Sequence, residues 1–271
     1  MLDLHSPQVM AIVNLTPDSF YAASRHTNEQ QVAQRVAQMV AEGASIIDIG
    51  GYSSRSGAAD VPLEEEWRRV ELGLRVVREV SANVAISIDT FRSEVAERAL
   101  AYDGGVMIND ITGGDADPRI VDVVAEAGAA FVAMHMRGTP ATMQLLTDYE
   151  DVVTDVVEAL RVKAEMLLDR GISPEKLILD PGFGFAKSVE QNFRLLAHLK
   201  RVCELGFPVL SGLSRKSMIY RTLDITPEES LTGTTALNWE SLRQGATILR
   251  VHDVREAVQT VRLFNMFEQN R

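Results

Sequence analysis

Apolar runs rich in β-branched residues alternate with amphipathic stretches along the whole chain. Eight runs read as strands: VMAIVN (9–14), SIIDIG (45–50), VAISID (84–89), VMIND (106–110), AFVAMHM (130–136), LILD (177–180), PVLSG (208–212) and TILRVHD (247–253). Between them the spacing turns helical. EQQVAQRVAQMVAEG places Val32, Val36, Met39 and Val40 on one face and stops at Gly43, a residue suited to close a helix. VEALRVKAEMLLDRG stops in the same way at Gly171. DPRIVDVVAEAG opens with Asp117 as N-cap and Pro118 as first helical residue, and Ser173 is a further candidate cap.

Strand–helix alternation implies parallel strands joined by helical crossovers. Eight such units in roughly 250 residues have the count and size of a (β/α)8, or TIM, barrel. A doubly wound open sheet is the rival, but it has fewer strands and a Gly-rich loop after the first. No G-x-G-x-x-G follows the first strand here. No linker, low-complexity segment or heptad run interrupts the pattern. The expectation is a single α/β barrel domain over 1–271, with its site at the C-terminal ends of the strands.

Composition narrows the class. The chain has 271 residues, 46% hydrophobic and 24% charged, which is ordinary for a soluble globular protein. Its single cysteine, Cys203, excludes an intrachain disulfide and fits a reducing, cytoplasmic compartment. MLDLHSPQ has neither the basic nor the apolar region of a signal peptide. No apolar run approaches the ~20 residues that span a bilayer. A net charge of -11 argues against a nucleic-acid surface.

It does not argue against a local anion site. In GLSRKS, two adjacent cations, Arg215 and Lys216, stand just past a buried strand. Most strands end in polar groups: Asn14, Asp48, Asp89, Asn109 with Asp110, His135, Asp180, Ser214 with Lys216, and Arg250 with His252. In a parallel barrel these ends share one face. Each alone reads equally well as a helix cap or turn residue; the set does not. Arg250 and His252 lie two apart and face the same way. With Lys216 from the neighbouring strand they make an anion cradle, for which the planar fork of Arg is well suited. Asp89 and Asp180 end otherwise apolar runs and need donors, which a heterocycle with amidine-like N–H groups would supply. The ligand so described has a phosphate end and a guanidine-like ring end.

At this point the blocks MAIVNLTPDSF (10–20), SIIDIGGYSSRSGA (45–58), SIDT (87–90), INDITGG (108–114), MHMRGTP (134–140), DPGFGFAK (180–187), GLSRKS (212–217) and RVHDV (250–254) resemble the dihydropteroate synthase family, in family order and over nearly the whole chain. The resemblance implies a pterin-binding barrel that joins 6-hydroxymethyl-7,8-dihydropterin pyrophosphate to p-aminobenzoate, releasing pyrophosphate on the way to folate. It implies Mg2+ as cofactor, a homodimer, and sensitivity to sulfonamides, which mimic p-aminobenzoate.

Roles carried over by the resemblance are as follows. Asp180 and Asn109 contact the pterin, Lys216 reaches its ring carbonyl, and Asp89 stabilises positive charge on the ring. Met134, Phe185 and Gly212 wall the flat pocket. Arg250 and His252 hold the pyrophosphate, with Asn14 binding Mg2+ or the pyrophosphate. Arg55 closes over the site as a catalytic and pyrophosphate-binding residue. Phe20, Ser54, Arg215 and Ser217 meet p-aminobenzoate. The chemistry expected is a dissociative, SN1-like departure of pyrophosphate, followed by attack of the neutral arylamine.

The chain departs from the family on two loops. SFYAASR places Ala22 where an Asp thought to help the metal is usual, and SSRSG places Ser54 for Thr and Ser56 for Pro. Loss of Pro raises the entropy cost of ordering a loop. Weaker p-aminobenzoate binding and altered sulfonamide sensitivity are expected.

Other residues read blandly. His5, His26 and His198 are surface groups; His135 either joins the site or only satisfies a core hydrogen bond. The Met residues fill the core, Cys203 has neither nucleophilic nor metal role, and Glu64–Glu66 form a helix first turn favoured by the dipole. Rival functions are a corrinoid-linked pterin methyltransferase, which has no need of GLSRKS or Arg-x-His, a non-catalytic pterin-binding paralogue, and a Schiff-base aldolase built on Lys216.

Overall fold

Eight parallel strands form one sheet, in the order β6-β5-β4-β3-β2-β1-β8-β7. This is a computed structural model, described over residues 2–15, 25–52 and 60–271, with the side chains of 25–28 left aside. The strands are β1 (Gln8–Asn14), β2 (Ile46–Gly50), β3 (Ala85–Asp89), β4 (Met107–Asp110), β5 (Phe131–Met134), β6 (Leu177–Asp180), β7 (Leu210–Ser211) and β8 (Ile248–Val251). The sheet closes on itself between β6 and β7 through one parallel bridge, Leu179 to Val209, with Leu179 N donating to Pro208 O at 2.9 Å. The expected TIM barrel is what the chain forms.

Helices follow the strands around the outside: α1 (Arg25–Glu42), α2 (Leu63–Val80), α3 (Ser93–Tyr102), α4 (Arg119–Ala127), α5 (Val152–Asp169), α6 (Val189–Ala197), α7 (Lys200–Cys203), α8 (Ser217–Leu223), α9 (Leu231–Arg243) and α10 (Val254–Gln269). Gly43 and Gly171 do end their helices, with φ of 102° and 96°. A residue with a side chain would be strained in that left-handed region. Two start signals shift. Pro118, not Asp117, stands at the α4 N-cap, and the Asp117 carboxylate instead accepts from Ser93 N at 2.7 Å, at the start of α3. Ser173 precedes only a 3-10 turn, Pro174–Lys176, and makes no side-chain cap.

Glu66 corrects a further expectation. It is fully buried, accepting from Thr90 Oγ1 at 2.6 Å and Arg92 Nη1 at 2.9 Å. Its neighbours Glu64 and Glu65 pair on the surface with Arg98 and Arg68. Glu66 therefore clamps α2 to the loop after β3 and is more than a charge at a helix start.

Two apolar layers hold the barrel. The outer one lies between strands and helices; the inner one, along the axis, gathers Met10, Ile46, Met107, Val132, Ile178, Leu210 and Ile248. Among the described residues, no helix is long and apolar enough to cross a membrane.

Candidate active site

The site grows directly out of the inner apolar layer. Side chains alternate along a strand, so positions two residues on face the same way. Two residues beyond Ile46, Met107, Val132, Ile178, Leu210 and Ile248 stand Asp48, Asn109, Met134, Asp180, Gly212 and Arg250. One layer of the axis is hydrocarbon; the next mixes four polar side chains, Asp48, Asn109, Asp180 and Arg250, with Met134, Gly212 and, beyond Met10, Ile12. The register then sets Asn14 beside Gly50, Gly50 beside Asp89, and Asp89 beside Asn109.

Arg250 is the hub. Its Nε donates to Asp48 Oδ2 at 2.7 Å, and its Nη2 donates to Asp89 Oδ2 at 2.6 Å. Asn109 Nδ2 donates to both oxygens of Asp48, at 3.3 and 3.4 Å. Burial works against the guanidinium's charge, but Asp48 and Asp89 outweigh it and hold Arg250 above its ordinary pKa. Burial pushes Asp89 up to about 7, against the pull of Arg250 and with the push of Asp48.

Asp180 and Lys216 form a second charged couple. Burial raises the Asp180 carboxyl, while Lys216 and the N–H of Gly182, 2.7 Å from Oδ1, oppose it. Burial lowers Lys216 to about 8, with Asp180 resisting. Lys216 Nζ donates to Phe183 O and lies 4.6 Å from the centre of the Phe185 ring. Gly182 makes room here: a Cβ on it, at φ 70°, would stand 2.0 Å from His135 O, whereas one on Gly212 would only make ordinary contact, 3.9 Å from Asp180 Oδ2.

Of the two adjacent cations in GLSRKS, only Lys216 joins this cluster. Arg215 has φ 55° and turns to Asp253, donating from Nε at 2.8 Å and Nη2 at 2.7 Å, and from Nη1 to the carbonyls of Pro227 and Glu228. It ties the loop after β7 to the start of α10. Ser217 is the first residue of α8, next to Lys216. His252 follows β8; its Nδ1 lies 3.0 Å from Ser214 Oγ. Asn14 is half-buried at the end of β1, its Oδ1 3.2 Å from where a Cβ on Gly50 would be, so Gly50 leaves space at this carboxamide. Phe20, Ser54 and Arg55, with Ala22 and Ser56, lie outside the described residues.

Some functional candidates resolve as scaffold. His135 makes the core hydrogen bond, its Nδ1 3.1 Å from Lys187 Nζ; burial and Lys187 push the imidazole pKa down to about 2. Asp110 is a turn device, accepting from Thr112 N, Thr112 Oγ1 and Gly114 N at 2.7 to 2.8 Å. Burial pushes the Cys203 thiol up to about 11, which suits an inert group. The DPGFGFAK block ends in a further buried residue, Lys187, to which the sequence assigned no role. That lysine is 4% exposed, and its Nζ donates to Gly182 O and Phe185 O, each at 3.0 Å. The signal was there: a cation closing an apolar, glycine-broken run.

Among the described residues, no group of three or more His, Cys, Asp or Glu side chains could hold a metal. Mg2+ is usually held by one or two carboxylates, water and substrate phosphates; Asn14 offers a neutral carboxamide oxygen rather than a carboxylate.

A family model described as pterin binding enzyme matches residues 10–252. Dihydropteroate synthase from Synechocystis is 43% identical over 252 residues, covering 93% of this chain and 86% of the relative. The Escherichia coli enzyme of that name is 42% identical over 264 residues, covering 97% and 92%. Among solved structures, Yersinia pestis dihydropteroate synthase in a sulfonamide drug complex superposes with a TM-score of 0.91, at 38% identity and covering 99% of this chain and 96% of that one. The Xanthomonas albilineans enzyme with 4-aminobenzoic acid gives 0.91 at 40% identity, covering 98% and 95%. With 7,8-dihydropteroate it gives 0.87 at 38%, again covering 98% and 95%.

Proposed function

This chain belongs to the dihydropteroate synthase family of pterin-binding enzymes, and from that premise we propose that it joins 6-hydroxymethyl-7,8-dihydropterin pyrophosphate to p-aminobenzoate, releasing pyrophosphate and 7,8-dihydropteroate. The observation that supports the reading is the couple of buried Asp180 and half-buried Lys216, with the Phe185 ring centre 4.6 Å from Lys216 Nζ. It offers one acceptor and one donor to a flat heterocycle.

In this reading Asp180 accepts from the pterin's 2-amino group and ring N–H, and Lys216 donates to the ring carbonyl. Asn109 and Asp89 complete the polar edge. Arg250 spends Nε and Nη2 on Asp48 and Asp89, leaving its Nη1 donors for the pyrophosphate. His252, Asn14 and Arg55 serve the same end. Mg2+ held by Asn14 would neutralise charge on the leaving pyrophosphate.

The electrostatics suit a dissociative path. Arg250 pulls on Asp89 and, with Lys216 and Lys187, on Asp180, while Asp48, Asp110 and Glu66 add negative charge around Asp89. As pyrophosphate leaves, positive charge develops on the pterin methylene and spreads into the ring. Preorganised carboxylates stabilise it most in a water-poor site. The arylamine attacks neutral and requires no strong base. Ser217, Phe20 and Ser54 would receive p-aminobenzoate, and Arg215 would support that end through the loop that Asp253 holds.

A homodimer remains the expected assembly. Leu263, Met266 and Phe267 are exposed along α10 and would give a second copy an apolar face. Light scattering on the purified chain tests it. A cytoplasmic location is part of the same proposal.

The function is tested by mixing the protein with the dihydropterin pyrophosphate and Mg2+ and recording pyrophosphate release with and without p-aminobenzoate. Release that depends on p-aminobenzoate, and vanishes in Lys216→Ala, is the expected result. Pterin binding without turnover would overturn it in favour of a non-catalytic paralogue.

A further inference from the structure

Arg215 holds a backbone conformation that glycine would adopt more easily. Its φ is 55°, in the left-handed region where a side chain costs free energy. The contacts of that side chain offset the cost. Nε and Nη2 donate to the two oxygens of Asp253 at 2.8 and 2.7 Å, and Nη1 donates to Pro227 O at 3.2 Å and to Glu228 O at 2.9 Å. The backbone N–H donates to Thr234 Oγ1, on α9, at 3.1 Å. A guanidinium has five N–H donors, so these side-chain bonds leave a single hydrogen rather than a fork for an incoming carboxylate.

Asp253 shows the same arrangement from the other side. It stands at the N-cap of α10, where an Asp carboxylate ordinarily accepts from the free amides of the helix. Here it makes no side-chain cap bond, and both of its oxygens go to Arg215. One residue earlier, His252 N donates to Ser214 Oγ at 3.2 Å. Two consecutive residues after β7 are thus stapled to two consecutive residues after β8. The Arg215 and Asp253 side chains are 26% and 18% exposed, so water screens this pair less than a surface one.

Lys216 comes next in the chain. Its N–H closes the turn on Leu213 O at 3.1 Å. The left-handed turn sends the two side chains apart: Arg215 runs to the start of α10, while Lys216 Nζ reaches Phe183 O and the Phe185 ring. The charges acting on Lys216 are those of Asp180, Arg250 and Asp89. The Arg215–Asp253 pair is neutral as a unit and acts on Lys216 through geometry.

We infer that Asp253 is a positioning residue: by clamping Arg215 in its left-handed turn, it aims Lys216 at the pterin ring. The inference rests on the proposed role of Lys216 toward that ring. It gives the two cations of GLSRKS different tasks, one setting the direction of the other. A lysine aimed in advance loses less freedom when the ligand arrives.

The test measures binding of 6-hydroxymethyl-7,8-dihydropterin, which lacks the diphosphate, to the full chain by fluorescence titration. Asp253→Asn keeps the shape of the side chain and removes its charge. Arg215→Gly keeps the left-handed turn and removes the clamp. Each should bind the pterin about tenfold more weakly, equivalent to ~1.4 kcal/mol. The double variant should bind no more weakly than the weaker single one, as a coupled pair requires. In a Lys216→Ala background, Asp253→Asn should change the affinity by less than about twofold, because the residue it aims is gone. In the kcat/KM profile the alkaline limb should move upward in Asp253→Asn, since a displaced ammonium is less buried. Unchanged pterin binding in Asp253→Asn, an alkaline limb left in place, or a loss that persists in full in the Lys216→Ala background overturns the inference. Normal pterin binding in Lys216→Ala alone overturns instead the role of Lys216 on which it rests. Thermal melts on each variant fix the folded fraction, so that loss of folding is not read as loss of aim.

Discussion

Arg250 Nε donates to Asp48 Oδ2 at 2.7 Å, although 202 positions separate the two residues. Asp48 is fully buried, and its only other donor among the described residues is Asn109. Asp48→Asn removes the charge but keeps the shape. It leaves the guanidinium with Asp89 alone and sets one amide against another. Breaking a buried pair from one side costs ~3–5 kcal/mol, and the retained Asp89 contact puts this case near 3. Urea unfolding of the variant measures it; a loss below ~0.5 kcal/mol would show that the pair contributes little.

Two groups in the site titrate near neutrality. Asp89, raised to about 7, gains a proton as pH falls through that value and loses the charge that faces the developing cation. Lys216, lowered to about 8, loses its proton as pH rises through that value and with it a charged donor. The kcat/KM profile for the dihydropterin substrate should therefore be a narrow bell, falling on the acid side near 7 and on the alkaline side near 8. Asp89→Asn should abolish the acid limb, and Lys216→Arg should move the alkaline limb upward. A profile whose limbs survive both substitutions would assign the titrations elsewhere.

Gly182 is required twice over. Its φ of 70° suits glycine, and a Cβ there would stand 2.0 Å from His135 O, a backbone atom that cannot swing away. Its N–H also steadies Asp180 at 2.7 Å. Gly182→Ala should lose about 3 kcal/mol through backbone strain and displacement of the loop. In a domain of this size each kcal/mol lowers Tm by roughly 2–4 °C. Pterin affinity should fall with it, because Asp180 moves. A normal melt and normal pterin binding would contradict the geometry.

Much of this was readable from the chain before any coordinates. Strands buried on both faces leave apolar runs, and the eight runs map onto the eight strands with ends displaced by at most two residues. β7 is trimmed at both ends: Pro208 has no N–H to give, and the ladder narrows to Leu210–Ser211. The polar groups were legible for the same reason: on β2, β4, β6 and β8 they lie two positions beyond the inner apolar layer. Partners were not legible. Nothing in GLSRKS says that Arg215 and Lys216 part company; a left-handed φ at Arg215 does that. Glu66 shares a helix face with Val70, Gly73 and Leu74, all buried, so its burial could have been read from helical phase. The pairing of Arg250 with Asp48 depends on closure of the barrel, which places β8 and β2 on either side of β1.

Lys187 yields the last prediction. Its ammonium makes three hydrogen bonds from a site only 4% exposed: to Gly182 O, to Phe185 O and to His135 Nδ1. Three acceptors match the three donors of a protonated lysine. Burial nonetheless lowers its pKa to about 7, while Asp180 pulls it back up. The two carbonyls flank the segment that offers Phe183 O to Lys216 and sets the Phe185 ring beneath it. Lys187→Met keeps the length and apolar stem but leaves two carbonyls and an imidazole nitrogen without their donor. Losing such partners costs roughly 2–4 kcal/mol. If the loop carries the pterin wall, as proposed for Phe185, KM for the dihydropterin pyrophosphate should rise more than tenfold, while KM for p-aminobenzoate changes less. The two KM values, measured separately, check this. Equal effects on both would mean that the loop acts on the site as a whole; no effect on either would mean that its carbonyls find other donors.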